Sequence, residues 1–278
     1  MNIPPRIAAT IIGTLIASGA SAQTTSINSG SLGAAGNGTN TVDAILGLPG
    51  AVSAGGDTAV GYAGGARTTV PFNSALNPAA SSPFTIEFWA MPTASDNDDA
   101  PMVNRIATGN RSGWVFFQRA AGTGWNFRMY NGNGSTLGWD LTGGTSTLNA
   151  WSHVVATWDG SVSILYVNGA LADDTNTAGL NGIYNVSTSA IFSVGAQDNG
   201  LSPTTGSVDE VAFYSSVLSP LQILSHYTTA SSPVPGAYST LVINDGAVEY
   251  LQNVPEPGCL GLIAAGSVLV GARRRRAA

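Results

Sequence analysis

Short apolar runs, cut apart by turns rich in glycine, leave this chain little to fold into but strands. Thirty-five of its 278 residues are glycine. Phe84-Thr85-Ile86-Glu87-Phe88-Trp89-Ala90-Met91 alternates, with Phe84, Ile86, Phe88 and Ala90 on one face. Trp114 to Arg119 and Trp125 to Tyr130 read as a hairpin around Ala121-Gly122-Thr123-Gly124. Trp151 to Trp158 and Ser161 to Val167 read as a second, with Asp159-Gly160 at its turn, the strongest short-range hairpin signal. Ala190 to Gly195 and Ser207 to Tyr214 supply two more strands. The one helical signature is Ser219 to Tyr227, with Ser219 as N-cap and Pro220 at the first helical position. Many short strands and one late helix predict an all-β, antiparallel two-sheet sandwich.

Outside those runs the pattern weakens. Residues 23–49 are mostly Gly, Ser, Asn and Thr, and read as a flexible leader or as a first strand that only tertiary context orders. Residues 231–253 hold Pro233, Pro235 and one strand-like run at Thr240 to Ile243, and read as a spacer.

Charge narrows the function classes. The chain has no lysine, and between Gln23 and Asn253 it carries 15 acidic residues against five arginines. Such a domain is unsuited to nucleic acid, which needs cationic surface facing phosphate. It suits a divalent cation better, because most of the acids are aspartates. Cys259 is the only cysteine, so no intramolecular disulfide is possible and the core alone must hold the fold.

Both ends carry addresses. Arg6, the apolar run Ile7 to Ile16, and Ala20-Ser21-Ala22 form a secretory signal peptide, residues 1–22, cleaved by signal peptidase after Ala22. At the other end Pro255-Glu256-Pro257-Gly258 leads into an apolar stretch, Cys259 to Ala272, that stops at Arg273, Arg274, Arg275 and Arg276. Fourteen residues of helix span roughly 21 Å, against a hydrocarbon core of about 30 Å. That makes a marginal transmembrane helix, with its arginines kept cytoplasmic. The order of motif, apolar span and basic cluster over residues 254–278 resembles the PEP-CTERM sorting signal. The resemblance implies a Gram-negative bacterium, transient tethering in its inner membrane, processing by an exosortase, and a mature form at the cell surface or in the extracellular matrix.

The middle of the chain carries a second resemblance. Pro83 to Trp89, Asn149 to Gly160, Leu165-Tyr166-Val167-Asn168-Gly169, Gly206 to Tyr214 and the helix after Leu218 together look like a LamG-like jelly roll of the concanavalin A-like lectin/glucanase superfamily. The likeness runs over about residues 50–230. It implies a jelly-roll sandwich and, in many relatives, one structural calcium held by an Asp opening the penultimate strand. By position that ligand is Asp209, with Glu210 beside it.

The resemblance also takes in endoglucanases, and those related to laminarinases carry their acids on one strand face in the spacing Glu-x-Asp-x-x-Glu, where two carboxylates can act on one bond. No strand here has that spacing. Asp209 and Glu210 are adjacent, so regular alternation sends them to opposite faces, and Glu87 is alone in its strand. Asp96, Asp98 and Asp99 share a loop and read as solvated. His153 and His226 are the only histidines, too few for a three-histidine metal site; His153, between apolar neighbours, reads as a hydrogen-bonding core residue. Trp114, Trp125, Tyr130 and Trp139 are the aromatics available to stack on sugar rings, or to fill the core instead.

These readings converge on an exported protein that binds carbohydrate or another polymer without catalysis. The alternatives are a structural or adhesive surface protein that contacts other proteins and, more weakly, a glycoside hydrolase of the same fold.

Overall fold

The computed structural model of the protein describes residues 25–54, 56–94, 98–119, 124–176 and 180–252. In chain order its strands are β1 (Thr25–Asn28), β2 (Gly38–Asn40), β3 (Ile45–Pro49), β4 (Thr58–Tyr62), β5 (Thr68–Val70), β6 (Phe84–Pro92), β7 (Asp99–Arg105) and β8 (Gly113–Gln118). They continue as β9 (Trp125–Tyr130), β10 (Leu137–Gly143), β11 (Ser152–Trp158), β12 (Ser163–Val167), β13 (Ala170–Asp173), β14 (Phe192–Val194), β15 (Gly206–Tyr214) and β16 (Ala247–Gln252). Two helices, α1 (Pro220–Thr229) and α2 (Ala237–Asn244), lie between β15 and β16.

Every strand pairing is antiparallel. One sheet runs β10-β9-β8-β7-β14-β5-β2-β1, and the other β16-β15-β6-β11-β12-β13. β1 belongs to both, since it pairs with β2 on one side and β16 on the other. β4 lies along the first half of β15 and carries β3 on its far edge. This is the predicted two-sheet sandwich.

Alternation decides what each sheet buries. Phe84, Ile86, Phe88 and Ala90 of β6 point inward with Trp114 and Phe116 of β8 and Trp125, Phe127 and Met129 of β9, forming the main core. Phe88 meets Phe116 edge to face, their centroids 5.0 Å apart, the geometry that the ring quadrupoles favour. The intervening residues of β6 face outward under α1 and α2, where Trp89, Tyr214, Ile223, Tyr238 and Val242 form a second core. On the outer face of the other sheet, Val103, Val115, Phe117 and Tyr130 make a third, smaller cluster.

Local chemistry explains the boundaries. Ser219 accepts from the Gln222 amide while the Gln222 side chain accepts from the Ser219 amide, a complete capping box with Pro220 at the first position. At the β11–β12 turn Asp159 Oδ1 accepts from the amides of Ser161 (2.8 Å) and Val162 (2.6 Å). Gly160 adopts φ +98°, and a β-carbon there would lie 2.4 Å from the Ser81 carbonyl oxygen, so this turn requires glycine.

Two expectations are corrected. Residues 231–253 are not a spacer through residue 252: they fold as α2 and β16. The Thr240 to Ile243 run is helical, because Tyr238 and Val242, four apart, both bury against the second core. Residues 25–49 contribute three strands, and β1 takes order from its neighbours β2 and β16. Among the described residues no helix is long and apolar enough to cross a membrane. The signal peptide with Ala20 and Ala22, and the tail with Pro255, Glu256, Pro257, Gly258 and Arg273 to Arg276, lie outside the described residues.

Candidate functional site

β15 changes neighbours halfway along its length. Residues 206–208 pair with β4 and residues 211–214 with β16. The register against β6 slips between Asp209 and Ala212, and Glu210 adopts φ +50°. This is a β-bulge, which re-aims side chains that alternation would separate. The expectation that Asp209 and Glu210 face opposite ways is therefore corrected. Both carboxylates, together with Asp57 just before β4, bring ligand oxygens within 4.8 Å of one another.

The backbone holds this cluster from several sides. Asp209 Oδ2 accepts from the Ala51 amide at 2.8 Å and its Oδ1 from the Glu210 amide at 3.0 Å. Asp57 Oδ2 accepts from the Val52 amide at 2.9 Å. Tyr250 donates its hydroxyl proton to Glu210 Oε2. Gly50 makes the approach possible, since a β-carbon there would sit 2.0 Å from Asp57 Oδ2 and 2.8 Å from Asp209 Oδ2.

Asp209 and Glu210 are buried, and no Arg or His forms an ion pair with any of the three acids among the described residues. Burial first, then the carboxylate of Asp57, pushes Asp209 well above the usual carboxylate range. Burial followed by Asp209 and Asp57 does the same to Glu210. Three convergent hard oxygen donors with uncompensated negative charge fit a divalent cation of the calcium type. Asp57 was not singled out in the sequence; it lies one residue before β4.

The remaining acid of the helix-covered face has a different environment. Glu87 is fully buried and accepts from Tyr214 (2.8 Å) and Tyr238 (2.7 Å). His153 Nε2 lies 2.7 Å from its Oε1 and His226 Nδ1 2.8 Å from its Oε2. Burial alone raises a carboxyl, but the two imidazoles outweigh it and hold Glu87 far below the usual range. His226 also reaches Asp245 at 2.8 Å through Nε2. Burial lowers its pKa, yet Glu87 and Asp245 together raise it. The network ties α1 and α2 to β6, β11 and β15, a positioning role with no access for a substrate.

The aromatics named for sugar stacking are placed otherwise. Trp114, Trp125 and Trp139 are buried in the main core and offer no face to a ligand. Trp139 spends its indole N–H on the Gly182 carbonyl at 2.8 Å. Their alternation along β8, β9 and β10 points them between the sheets. Tyr130 lies on the outer face but is buried too, with the guanidinium of Arg105 5.1 Å above its ring.

Beside Tyr130 opens a solvent-facing cavity of about 390 Å³. Arg105, Arg111, Arg128 and Phe117 line it, and among the described residues its one acid is Asp98, which Arg119 salt-bridges at 2.5 Å.

With two stacked antiparallel sheets and this site described, the family follows from residues 64–224, which match the model of the concanavalin A-like lectin/glucanases superfamily, Laminin_G_3. The chain belongs to that superfamily. Among solved structures, the binding domain of botulinum neurotoxin serotype G is 16% identical with a TM-score of 0.53, covering 75% of this chain and 50% of that one. The binding domain of Paraclostridial Mosquitocidal Protein 1 is 14% identical at 0.51, covering 73% and 52%. The Trypanosoma rangeli sialidase in complex with the inhibitor DANA is more distant, at 12% identity and 0.47, covering 70% and 30%. This superfamily member thus spans about half the length of the binding domains it matches, and shares their fold. No curated protein sequence matches it significantly.

Proposed function

We propose that the protein is an exported, non-catalytic binding protein of the bacterial surface or extracellular matrix, whose domain holds a carbohydrate or related polymer. One observation carries the reading: the open cavity is lined by three arginines and a single carboxylate already committed to Arg119. Glycoside hydrolysis needs two carboxyl groups facing one bond, about 5–9.5 Å apart. The cluster that does gather three is buried against backbone amides. In this reading Asp57, Asp209 and Glu210 hold a calcium ion that pins β15 to the β3–β4 hairpin. It works as a structural support, and the ligand binds elsewhere.

The route to the surface rests on the signal peptide and on the PEP-CTERM-like tail. Signal peptidase cleaves after Ala22, and an exosortase processes the tail at Pro255-Glu256-Pro257-Gly258.

The test is binding of the mature protein to a glycan array, with and without calcium. Retention of particular polysaccharides without their degradation supports the reading. Binding to matrix proteins alone shifts it to an adhesive component, and release of reducing ends revives the hydrolase.

A further inference from the structure

Between residues 23 and 253 the chain has five arginines among 15 acids, and four of the five gather at one place. The guanidiniums of Arg105, Arg119 and Arg128 lie 5.6, 5.0 and 5.5 Å from the Phe117 ring centre. Those of Arg105 and Arg111 lie 5.1 and 5.8 Å from that of Tyr130. Alternation along β7, β8 and β9 sets Arg105, Phe117, Arg128 and Tyr130 on the outer face of their sheet, away from the core.

Two of the four have a carboxylate partner. Arg119 pairs with Asp98 and Arg128 with Asp140 at 3.2 Å. Arg105 and Arg111 have no carboxylate partner among the described residues. Arg105 is 6% exposed, donates to the Tyr130 hydroxyl, and leaves its Nε buried with no acceptor. Its burial, with Arg111 and Arg128 close by, disfavours the charged form. A buried guanidinium whose Nε has no acceptor, with other guanidiniums close by, is costly. An anion entering the cavity would relieve that cost.

On this basis we infer that the cavity between Arg105, Arg111 and Tyr130 binds the carboxylate of an acidic sugar unit within a polysaccharide. The inference deepens the binding function proposed above by naming a ligand class and a place. The volume, about 390 Å³, falls at the small end of ligand pockets, suited to a sugar-sized group. A guanidinium fork matches a carboxylate in two parallel hydrogen bonds. Gln197, whose amide donates to the Ser202 hydroxyl at 2.8 Å, also lines the cavity with that serine. Both present groups able to meet sugar hydroxyls. Selection of carboxylate over hydroxyl then comes from Arg105 and Arg111, which have no carboxylate partner among the described residues, and selection of a saccharide from Gln197 and Ser202.

Calorimetric titration of the mature protein tests this with polygalacturonate, its fully methyl-esterified form, a neutral β-glucan and dextran sulfate. The expected result is binding of polygalacturonate, with the ester weaker by about tenfold or more. Arg105→Gln and Arg111→Gln should each weaken polygalacturonate by a similar factor. Arg111 is half-buried at the cavity wall, so its variant keeps the test open should Arg105→Gln fail to fold. Equal affinity for acid and ester, or unchanged affinity in a folded Arg111→Gln protein, overturns the site while leaving the binding function standing. Dextran sulfate binding as tightly as polygalacturonate, with both lost at about 0.3 M salt, also overturns it, as mere polyanion attraction. Silence toward every polymer, the neutral glucan included, overturns both this site and the binding function.

Discussion

His226 on α1 reaches down to Glu87, 139 residues earlier on β6, and closes a 2.8 Å contact with its carboxylate inside the covered face of a sheet. His153 and two tyrosines meet the same carboxylate. Removing it strands the partners. Glu87→Ala is expected to cost about 3–5 kcal/mol, read as a lowered urea midpoint. Tyr214→Phe, which deletes one hydrogen bond to that group, should cost about 1–2 kcal/mol. A Glu87→Ala protein as stable as the parent would mean the helices dock without the network.

The pair also sets a pH window. Glu87 titrates below its unfolded value of 4.5, so its contribution is present above that pH and fades as pH falls toward the folded value. His226 titrates above 6.5, so its contribution is full below that pH and is lost as pH rises through the folded value. Both are present between about pH 4.5 and 6.5. The stability lost above that window through His226 should disappear from the pH profile of His226→Gln, measured by urea unfolding.

The buried acids of the bulge titrate in the opposite sense to Glu87. Asp209 and Glu210 are raised, so without a cation stability falls as pH climbs through their range. Calcium competes with those protons. The rise in Tm on adding calcium should therefore be larger at pH 8 than at pH 5, and absent in Asp209→Asn. Gly50→Ala should abolish it as well, because the added methyl group occupies the space between Asp57 and Asp209. A calcium response unchanged in both variants would place the ion elsewhere.

Glu249 offers a separate handle. It is fully buried on β16, neither of its carboxyl oxygens has a hydrogen-bond partner, and burial pushes its pKa up to about 8. Its proton is retained in the folded state while the unfolded chain loses it near 4.5. Stability therefore declines between those values as pH rises. Glu249→Gln is expected to flatten that part of the profile and to raise Tm most at pH 9.

Trp114 separates core from ligand. It is 1% exposed and packs between Phe116, Phe127 and Phe192. Trp114→Ala should cost about 3–5 kcal/mol, while the protein that remains folded keeps its affinity for polymer. A specific loss of affinity at unchanged stability would restore Trp114 as a contact residue.

Much of this architecture was legible because period-two patterning is local. Phe84 to Ala90, the Asp159-Gly160 turn and the Ser219-Pro220 cap each declare themselves within a few residues. β16 was passed over because it follows two prolines and a helix whose β-branched Thr240, Val242 and Ile243 imitate a strand. Asp209 and Glu210 share a face that regular alternation denies them, since a bulge depends on what the strand pairs with. The aromatics stay open between ligand and core in the sequence for a related reason: alternation says which residues share a face, and only the second sheet says which face is inside. Asp57 and the arginine cluster are assembled from separate strands and loops, so no spacing announces them.

β1 opens the domain and β16 closes it, yet Ile27 pairs with Gln252. That contact sets an order of events. The seam that links the two sheets cannot form until β16 has been synthesised, and closing so long a loop is entropically slow. Until then β1 lacks its partner on that side. A chain cut short before Ala247 would keep its hairpins and lose the strand between β1 and β15.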